Sequence, residues 1–329
     1  MIVLFFFTVL LAAMLLCVII PANKCRAQGT IPAGEQKNRL AEALKGHVYK
    51  LSHEIGSRNV YACRQLAATA DYIIYQFQAL GYQVALQHYD AGERTFKNII
   101  ARRQGRTKPA EFVVIGAHYD THNNPGADDN ASGIAALLEL ARLAAARPPA
   151  DRSLEFAAFV NEEPPFFHSE KMGSRVYTKL AKAQGKQIKA GLVLEMLGYY
   201  REEAKSQSYP ESLTGLYPDT ANFIAIVNNH ASDRLAAMVV EYFRQGTDFP
   251  VQQIAAEKVP EGDFSDHWSF WQEGYPALMV TDTSFYRYAH YHQPTDTYEK
   301  LNYENMSKVV TGLQAVIAAL TNEQATPAG

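Results

Sequence analysis

Apolar positions along the chain follow two periods, one near 3.6 residues and one near 2, and their alternation lays out the elements before any chemistry is considered. Over residues 36–55 they recur at Leu40, Leu44, Val48 and Leu51, and a second helical spacing runs from about 64 to 80, just before Gly81. Both stretches predict helices. Two alternating runs follow, Gln83-Val-Ala-Leu-Gln-His-Tyr89 and Lys97-Asn-Ile-Ile-Ala-Arg-Arg103, split at Ala91-Gly92, and they predict an antiparallel pair at one sheet edge. Four compact apolar runs come next, at 112–116, 154–160, 191–194 and 277–280. Helical stretches over 132–146, 172–183 and 232–244 are interleaved with them, and a last helix is expected over 303–320. The expectation is an α/β fold: a mixed, mainly parallel central sheet with helices on both faces, in three layers. Segment 199–219, with its tyrosines and prolines, reads as a long excursion near the site, and the tail after Thr321 as frayed.

The first twenty residues carry no charge, and Pro21, Lys24, Arg26 and Ala27 follow them. That pattern reads as an export signal with cleavage after Ala27, or as an uncleaved membrane anchor. A single catalytic domain is then expected over 28–329, exported to the periplasm or the exterior, touching a membrane only through the N-terminal segment. Of the three cysteines, Cys17 and Cys25 fall in that segment, so Cys63 has no partner for an internal disulfide in the mature chain. The net charge of -3, with no basic cluster, argues against nucleic acid as a partner.

Chemistry concentrates where the apolar runs stop. His118 and Asp120 follow the first, Glu162 and Glu163 the second, Glu195 the third, and Tyr291-His292-Gln-Pro-Thr-Asp296-Thr297 lies beyond the fourth. In open α/β sheets the carboxyl ends of the strands form the ligand site, so these groups are expected to converge. A surface turn would explain His118-Tyr-Asp120 blandly, but Asp120, two residues on, can receive the imidazole N–H and orient the ring. Asp128-Asp129-Asn130 exceeds what a cap for the next helix needs, and Asp129 is placed to bridge two cations. Glu162 and Glu163 are expected as adjacent extended residues pointing oppositely, one carboxylate for metal and one free for proton transfer. An acid such as Glu195 at the end of a core strand is seldom tolerated unless paired or metal-bound.

Imidazoles and carboxylates without thiolate suit zinc, with manganese or cobalt as substitutes, and two histidines with three carboxylates are too many for one open tetrahedral ion. The matching stretches Ile115-Gly-Ala-His118-Tyr-Asp120-Thr121, Gly126-Ala-Asp128-Asp129-Asn-Ala-Ser-Gly133, Asn161-Glu162-Glu163, Leu194-Glu195-Met196, Ser265-Asp266-His267 and Tyr291-His292-Gln-Pro-Thr-Asp296-Thr297 make the chain resemble the co-catalytic zinc aminopeptidases. That family includes secreted bacterial leucyl aminopeptidases, the plasma glutamate carboxypeptidase type and the glutaminyl cyclases. The resemblance implies two Zn²⁺ per chain: His118, Asp129 and Glu195 on one, Glu163, Asp129 and His292 on the other. It also implies Glu162 as general base, Asp120 as partner of His118, a strained or cis peptide after Asp129, and short peptides as substrates.

Two departures stand out. Glu195 occupies a position where many members carry Asp, and Glu261-Gly262-Asp263 stands where some place an oxyanion-stabilising Tyr. That leaves Tyr286, Tyr288 and His290 as candidate donors. Arg287 suggests an alternative, a carboxypeptidase or dipeptidase in which its guanidinium clamps the substrate carboxylate. The bland reading of Arg287 is a salt bridge, for instance to Glu299. Glutaminyl cyclase and a catalytically inactive binding protein are the more distant readings.

Overall fold

The computed structural model describes residues 33–322; the N-terminal stretch read above as an export signal or anchor, the expected cleavage point and most of the tail lie outside these. Helix α1 (Ala33–Tyr49) runs directly into a π-helical turn, Lys50–Ile55, and buries Leu40, Leu44, Val48 and Leu51 as the periodicity requires. Helix α2 (Cys63–Ala79) buries Leu66, Ala70, Ile73 and Phe77 and stops at Gly81, whose φ of 80° an L-residue adopts only with strain. The hairpin of β1 (Gln83–Ala91) and β2 (Arg94–Arg103) turns at Gly92, φ 64°. Strands β3 (Lys108–His118), β4 (Arg152–Phe159), β5 (Gln187–Glu195), β6 (Ile224–Asn228), β7 (Val251–Ala255) and β8 (Ala277–Thr281) complete one eight-stranded sheet.

Its order is β1-β2-β4-β3-β5-β8-β6-β7. β4, β3, β5 and β8 run parallel, β1 and β2 are antiparallel at one edge, and β6 is antiparallel to β8 while β7 follows β6 in parallel. The sheet is therefore mixed with a parallel centre. Side-chain alternation divides the core. Val113, Ile115 and Ala117 face α1, α3 (Gly133–Ala145), α5 (Asp233–Gly246) and α7 (Tyr303–Thr321); Val114, Ala157 and Val193 face α4 (Gly173–Ala183) and α6 (His267–Gln272).

Three elements were not expected. β6 is fully buried, but no acid or imidazole marks its end as one marks the ends of β3 and β5. β7 is an edge strand with only two of its five positions buried, and α6 is a six-residue helix inside a polar motif. Among the described residues no helix is long and apolar enough to cross a membrane.

Behind the site lies a buried cation. The Arg58 guanidinium is fully enclosed and donates to the carbonyls of Tyr119 (3.0 Å), Pro125 (2.7 Å) and Gly126 (2.8 Å), while its main chain pairs with Thr121. Burial lowers its pKa to about 10 against the attraction of Asp296 and Asp129. It staples the loop after β3 to the first helical layer. Arg58→Met removes the staple and orphans several buried carbonyls, so it is expected to cost about 2–4 kcal/mol, read as a fall in Tm or in the denaturation midpoint. A loss under about 0.5 kcal/mol, the range of an ordinary surface substitution, would contradict this account.

Candidate metal centre and active site

Five groups from five separate stretches meet at the carboxyl ends of β3, β4 and β5. His118 is the last residue of β3, and its Nε2 lies 3.3 Å from Asp129 Oδ1 and 3.3 Å from Glu195 Oε2. His292 Nε2 lies 3.1 Å from the other Asp129 oxygen, Oδ2, and 3.4 Å from Glu163 Oε1. The ligand-type atoms form two triplets, His118/Asp129/Glu195 and Asp129/Glu163/His292, each set lying within 4.8 Å of one another. Zinc–ligand bonds of about 2.0–2.2 Å at tetrahedral angles place neighbouring donors about 3.3–3.5 Å apart. The measured separations fit that edge length, and the two oxygens of Asp129 face different triplets. Glu163 Oε1 is buried without a hydrogen-bond partner, as a donor atom reserved for a cation would be.

The frame that aims these side chains is made of other residues in the same motifs. Asn130 brackets Glu195: its Nδ2 donates to the carbonyl of Leu194 (2.9 Å) and its Oδ1 accepts from the N–H of Met196 (3.1 Å) and of Gly133 at the start of α3. Asp296 accepts from the backbone N–H of Asp128 (2.9 Å) and Asp129 (3.3 Å) and from Tyr288 Oη (2.8 Å). Ser265 Oγ donates to Glu195 Oε2 at 2.6 Å. The ring of His292 is held between two others, His122 at 4.3 Å and Tyr291 at 3.8 Å, both nearly parallel to it. The peptide between Asp129 and Asn130 is cis.

Asp120 has a wider part in this frame than the sequence suggests. The nearest acceptor for His118 Nδ1 is the Asp120 main-chain carbonyl at 3.1 Å, with the carboxylate Oδ1 at 3.7 Å. The carboxylate itself accepts from the N–H of Glu162 (3.2 Å) and Glu163 (3.1 Å), and so joins the ends of β3 and β4. Those two glutamates do not continue the strand as extended neighbours. β4 ends at Phe159, and Asn161 at φ 62° turns the chain, so the divergence of the pair is set by that turn and by the two Asp120 hydrogen bonds. Glu163 enters a triplet; Glu162 does not, and its Oε2 stays 3.9 Å from His118 Nε2.

Crowding of like charge in a dry site shifts the titrations. Burial raises the Glu162 pKa well above the usual carboxylate range against the pull of His118, and the nearby Glu195 and Glu163 add to it. Burial and then Asp129 push Glu163 up to about 7. For His292, burial opposes the cation but is outweighed by Asp129 and Glu163, which raise it to about 10. His118 is likewise raised, burial being overcome by Glu195 and Glu162.

The three candidate oxyanion donors are otherwise engaged: Tyr286 Oη donates to Glu261, Tyr288 Oη to Asp296, and His290 Nδ1 pairs with Thr295. Tyr291, absent from those candidates, lines the cavity at the centre. Burial and then the charges of Asp129, Glu163, Glu162 and Glu195 raise its pKa, which keeps the phenol protonated. Its position beside a ligand-type histidine was the signal for it in the sequence.

Arg287 requires a correction. Its side chain is buried behind the cavity wall, where Nε donates to Gln207 Oε1 (2.7 Å) and Nη1 to the carbonyl of Phe223 (3.0 Å), with the guanidinium over the Phe223 ring at 4.6 Å. Neither a substrate clamp nor a salt bridge to Glu299 matches these contacts. Through Nε and Nη1 the guanidinium packs the excursion 199–219 against the start of β6, while Nη2 is buried without a hydrogen-bond partner among the described residues. That excursion does reach the site, since Gln207, Tyr209, Pro210 and Leu213 line the cavity of about 270 Å³ beside the triplets.

A parallel-centred α/β sheet whose strand ends gather imidazoles and carboxylates at metal-ligand spacing defines a metallopeptidase of the zinc exopeptidase fold. The chain belongs to peptidase family M28, which residues 98–317 match. It is 37% identical over 294 residues to the uncharacterized protein YfbL of Escherichia coli, covering 86% of this chain and 88% of that one. A probable leucine aminopeptidase of Arthroderma otae is 31% identical over 242 residues, 68% of this chain and 58% of the relative, so the match spans little more than half that protein's length. Among solved structures, the zinc aminopeptidase BSAP of Bacillus subtilis superposes with a TM-score of 0.69 at 15% identity, covering 87% of this chain and 96% of its own.

Proposed function

We propose that the protein is an exported two-zinc aminopeptidase that hydrolyses the N-terminal peptide bond of short peptides with Glu162 as general base. The single observation that carries this is the pair of triplets sharing Asp129, one oxygen to each, with Glu162 beside them and outside both. His118, Asp129 and Glu195 would hold one ion, and Glu163, Asp129 and His292 the other. Asp129, Glu162, Glu163 and Glu195 together carry four negative charges when ionised, which two divalent cations balance. Such a pair supplies an acidified water nucleophile and a Lewis acid for the scissile carbonyl.

The side chains supply the rest. The Glu162 carboxylate takes a proton from the attacking water and delivers it to the leaving amine nitrogen. Tyr291 Oη donates to the carbonyl oxygen as negative charge develops there. Asp120 holds Glu162 and Glu163 in place through their amides. The likeness to a probable leucine aminopeptidase supports a free α-amine on the substrate. With Arg287 buried, the carboxypeptidase alternative lacks the cation on which it rested. The cyclase alternative, which resembles a one-zinc design, makes no use of the second triplet.

The test is substrate polarity. Free-amine dipeptides and their C-terminal amides are expected to be hydrolysed at comparable rates, and N-acetylated dipeptides at least about 100-fold more slowly, the scale on which a site rejects a substrate lacking a group it is built to pair. Equal cleavage of acetylated peptides with refusal of the amides would replace this reading by a carboxypeptidase.

A further inference from the structure

The cavity floor runs away from the metal centre across four strands. Glu195 on β5 pairs with Thr281 on β8; Met279, two residues back on the same face, pairs with Val227 on β6; and Val227 pairs with Ile254 on β7. All five line the cavity, and three strand spacings of about 4.8 Å make a trough of about 14 Å. Beyond Glu195 and Thr281 the floor of the trough is apolar, while its walls add the polar side chains of Gln207, Thr283, Ser284 and Tyr286. Its wall holds one more carboxylate, Glu261, between Val259 and Phe264.

Glu261 belongs to a turn in which Gly262 N–H donates to Val259 and Phe264 N–H to Glu261 itself. Four residues further on, Ser265 holds Glu195, so Glu261 stands within one extended four-residue span, about 14 Å, of the centre, and the turn shortens that. One oxygen of Glu261, Oε2, accepts from Tyr286 Oη at 2.5 Å, and among the described residues no Lys, Arg or His forms an ion pair with it. A half-buried carboxylate in a trough with an apolar floor and without a cation carries a desolvation cost that a partner would relieve.

We propose that Glu261 selects peptides whose N-terminal residue has a long cationic side chain, lysine or arginine. The methylene stem lies along Met279 and Val227, and the terminal N–H donates to Glu261 Oε1. This rests on the aminopeptidase reading and adds the side-chain class to it. A wider acidic environment does not account for the placement, because the four carboxylates of the centre belong to the metal site and Glu261 is the other carboxylate lining the cavity among the described residues.

Lysine and norleucine p-nitroanilides share the same four-carbon stem and differ by the ammonium, so their ratio of kcat/KM on the zinc-loaded protein isolates the contact. The ratio is expected to exceed 10 and to fall about 10- to 100-fold in Glu261→Gln, chiefly through KM, with Tm unchanged because Gln still accepts from Tyr286. Tyr286→Phe keeps the charge and removes only the tether, so the preference for lysine is expected to persist there. If the two variants lose the ratio equally, or if the wild-type ratio is near 1 and insensitive to Glu261, the proposal is overturned while the aminopeptidase reading stands. Calorimetry with L-lysine amide and L-norleucine amide on zinc-loaded Glu162→Gln protein needs no turnover. Tighter binding of the lysine amide that Glu261→Gln abolishes, together with a zinc-loaded wild-type protein that cleaves none of the anilides, would keep the specificity site and remove the aminopeptidase reading.

Discussion

Glu162→Gln is expected to lower kcat by about 10²–10⁴-fold while zinc content and Tm remain at wild-type values. The expectation follows from position. Glu162 is buried at the centre yet belongs to neither triplet, and its backbone N–H, not its carboxylate, carries the structural bond to Asp120. Gln keeps the shape and can still donate or accept a hydrogen bond, but it cannot take a proton from water or return one to an amine. Glu163→Gln changes the neighbouring side chain by the same atoms and is expected to act otherwise: bound zinc falls towards one equivalent and Tm falls with it. Elemental analysis and thermal melts on both variants separate the two roles. Zinc lost from Glu162→Gln and kept by Glu163→Gln would reverse the assignment, and unimpaired activity in both would remove the site from this place.

Metal removal has the largest effect of all. A chelator is expected to abolish hydrolysis, two equivalents of zinc to restore it, and the stripped protein to melt at lower temperature, because ligand binding to the folded state alone adds to stability by mass action. The physical cause is visible in the triplets: without cations, Glu162, Glu163, Glu195 and Asp129 face one another in a buried space, offset by His118 and His292 and, from behind the site, by Arg58. Restoration complete at one equivalent per chain would reduce the centre to a single ion. Full activity in stripped protein would remove the metal from the mechanism.

Most of the parallel centre of the sheet was legible in the sequence because buried strands there are short apolar runs ended abruptly by acids and histidines. The same signal pointed to His118, the Glu162–Glu163 pair, Glu195 and His292, the acidic run before α3 added Asp129, and the family resemblance implied Glu163 over Glu162; the structure brings His118, Asp129, Glu163, Glu195 and His292 together. What escaped was whatever depends on partners remote in sequence. β6 and β7 join the sheet through β8 and end in nothing that marks them. Arg287 looked available for substrate because it lies five residues before His292, whereas its contacts come from Gln207 and Phe223, some 80 and 64 residues away. Asn130 looked like a helix cap, and it is one, but its second pair of bonds to the backbone on either side of Glu195 could not be inferred from local spacing.

The two ends of the trough are carried by different parts of the chain. Metal-competent side chains come from the ends of β3, β4 and β5 and from the loop after β8, while the outer floor and wall come from β6, β7 and the turn at 259–264. Substitutions well separated in space tend to act additively. Val227, Ile254 and Glu261 can therefore drift or be redesigned without re-solving the problem of holding ions, so that a single hydrolytic engine can be retooled for new peptide termini by changing one removable jaw.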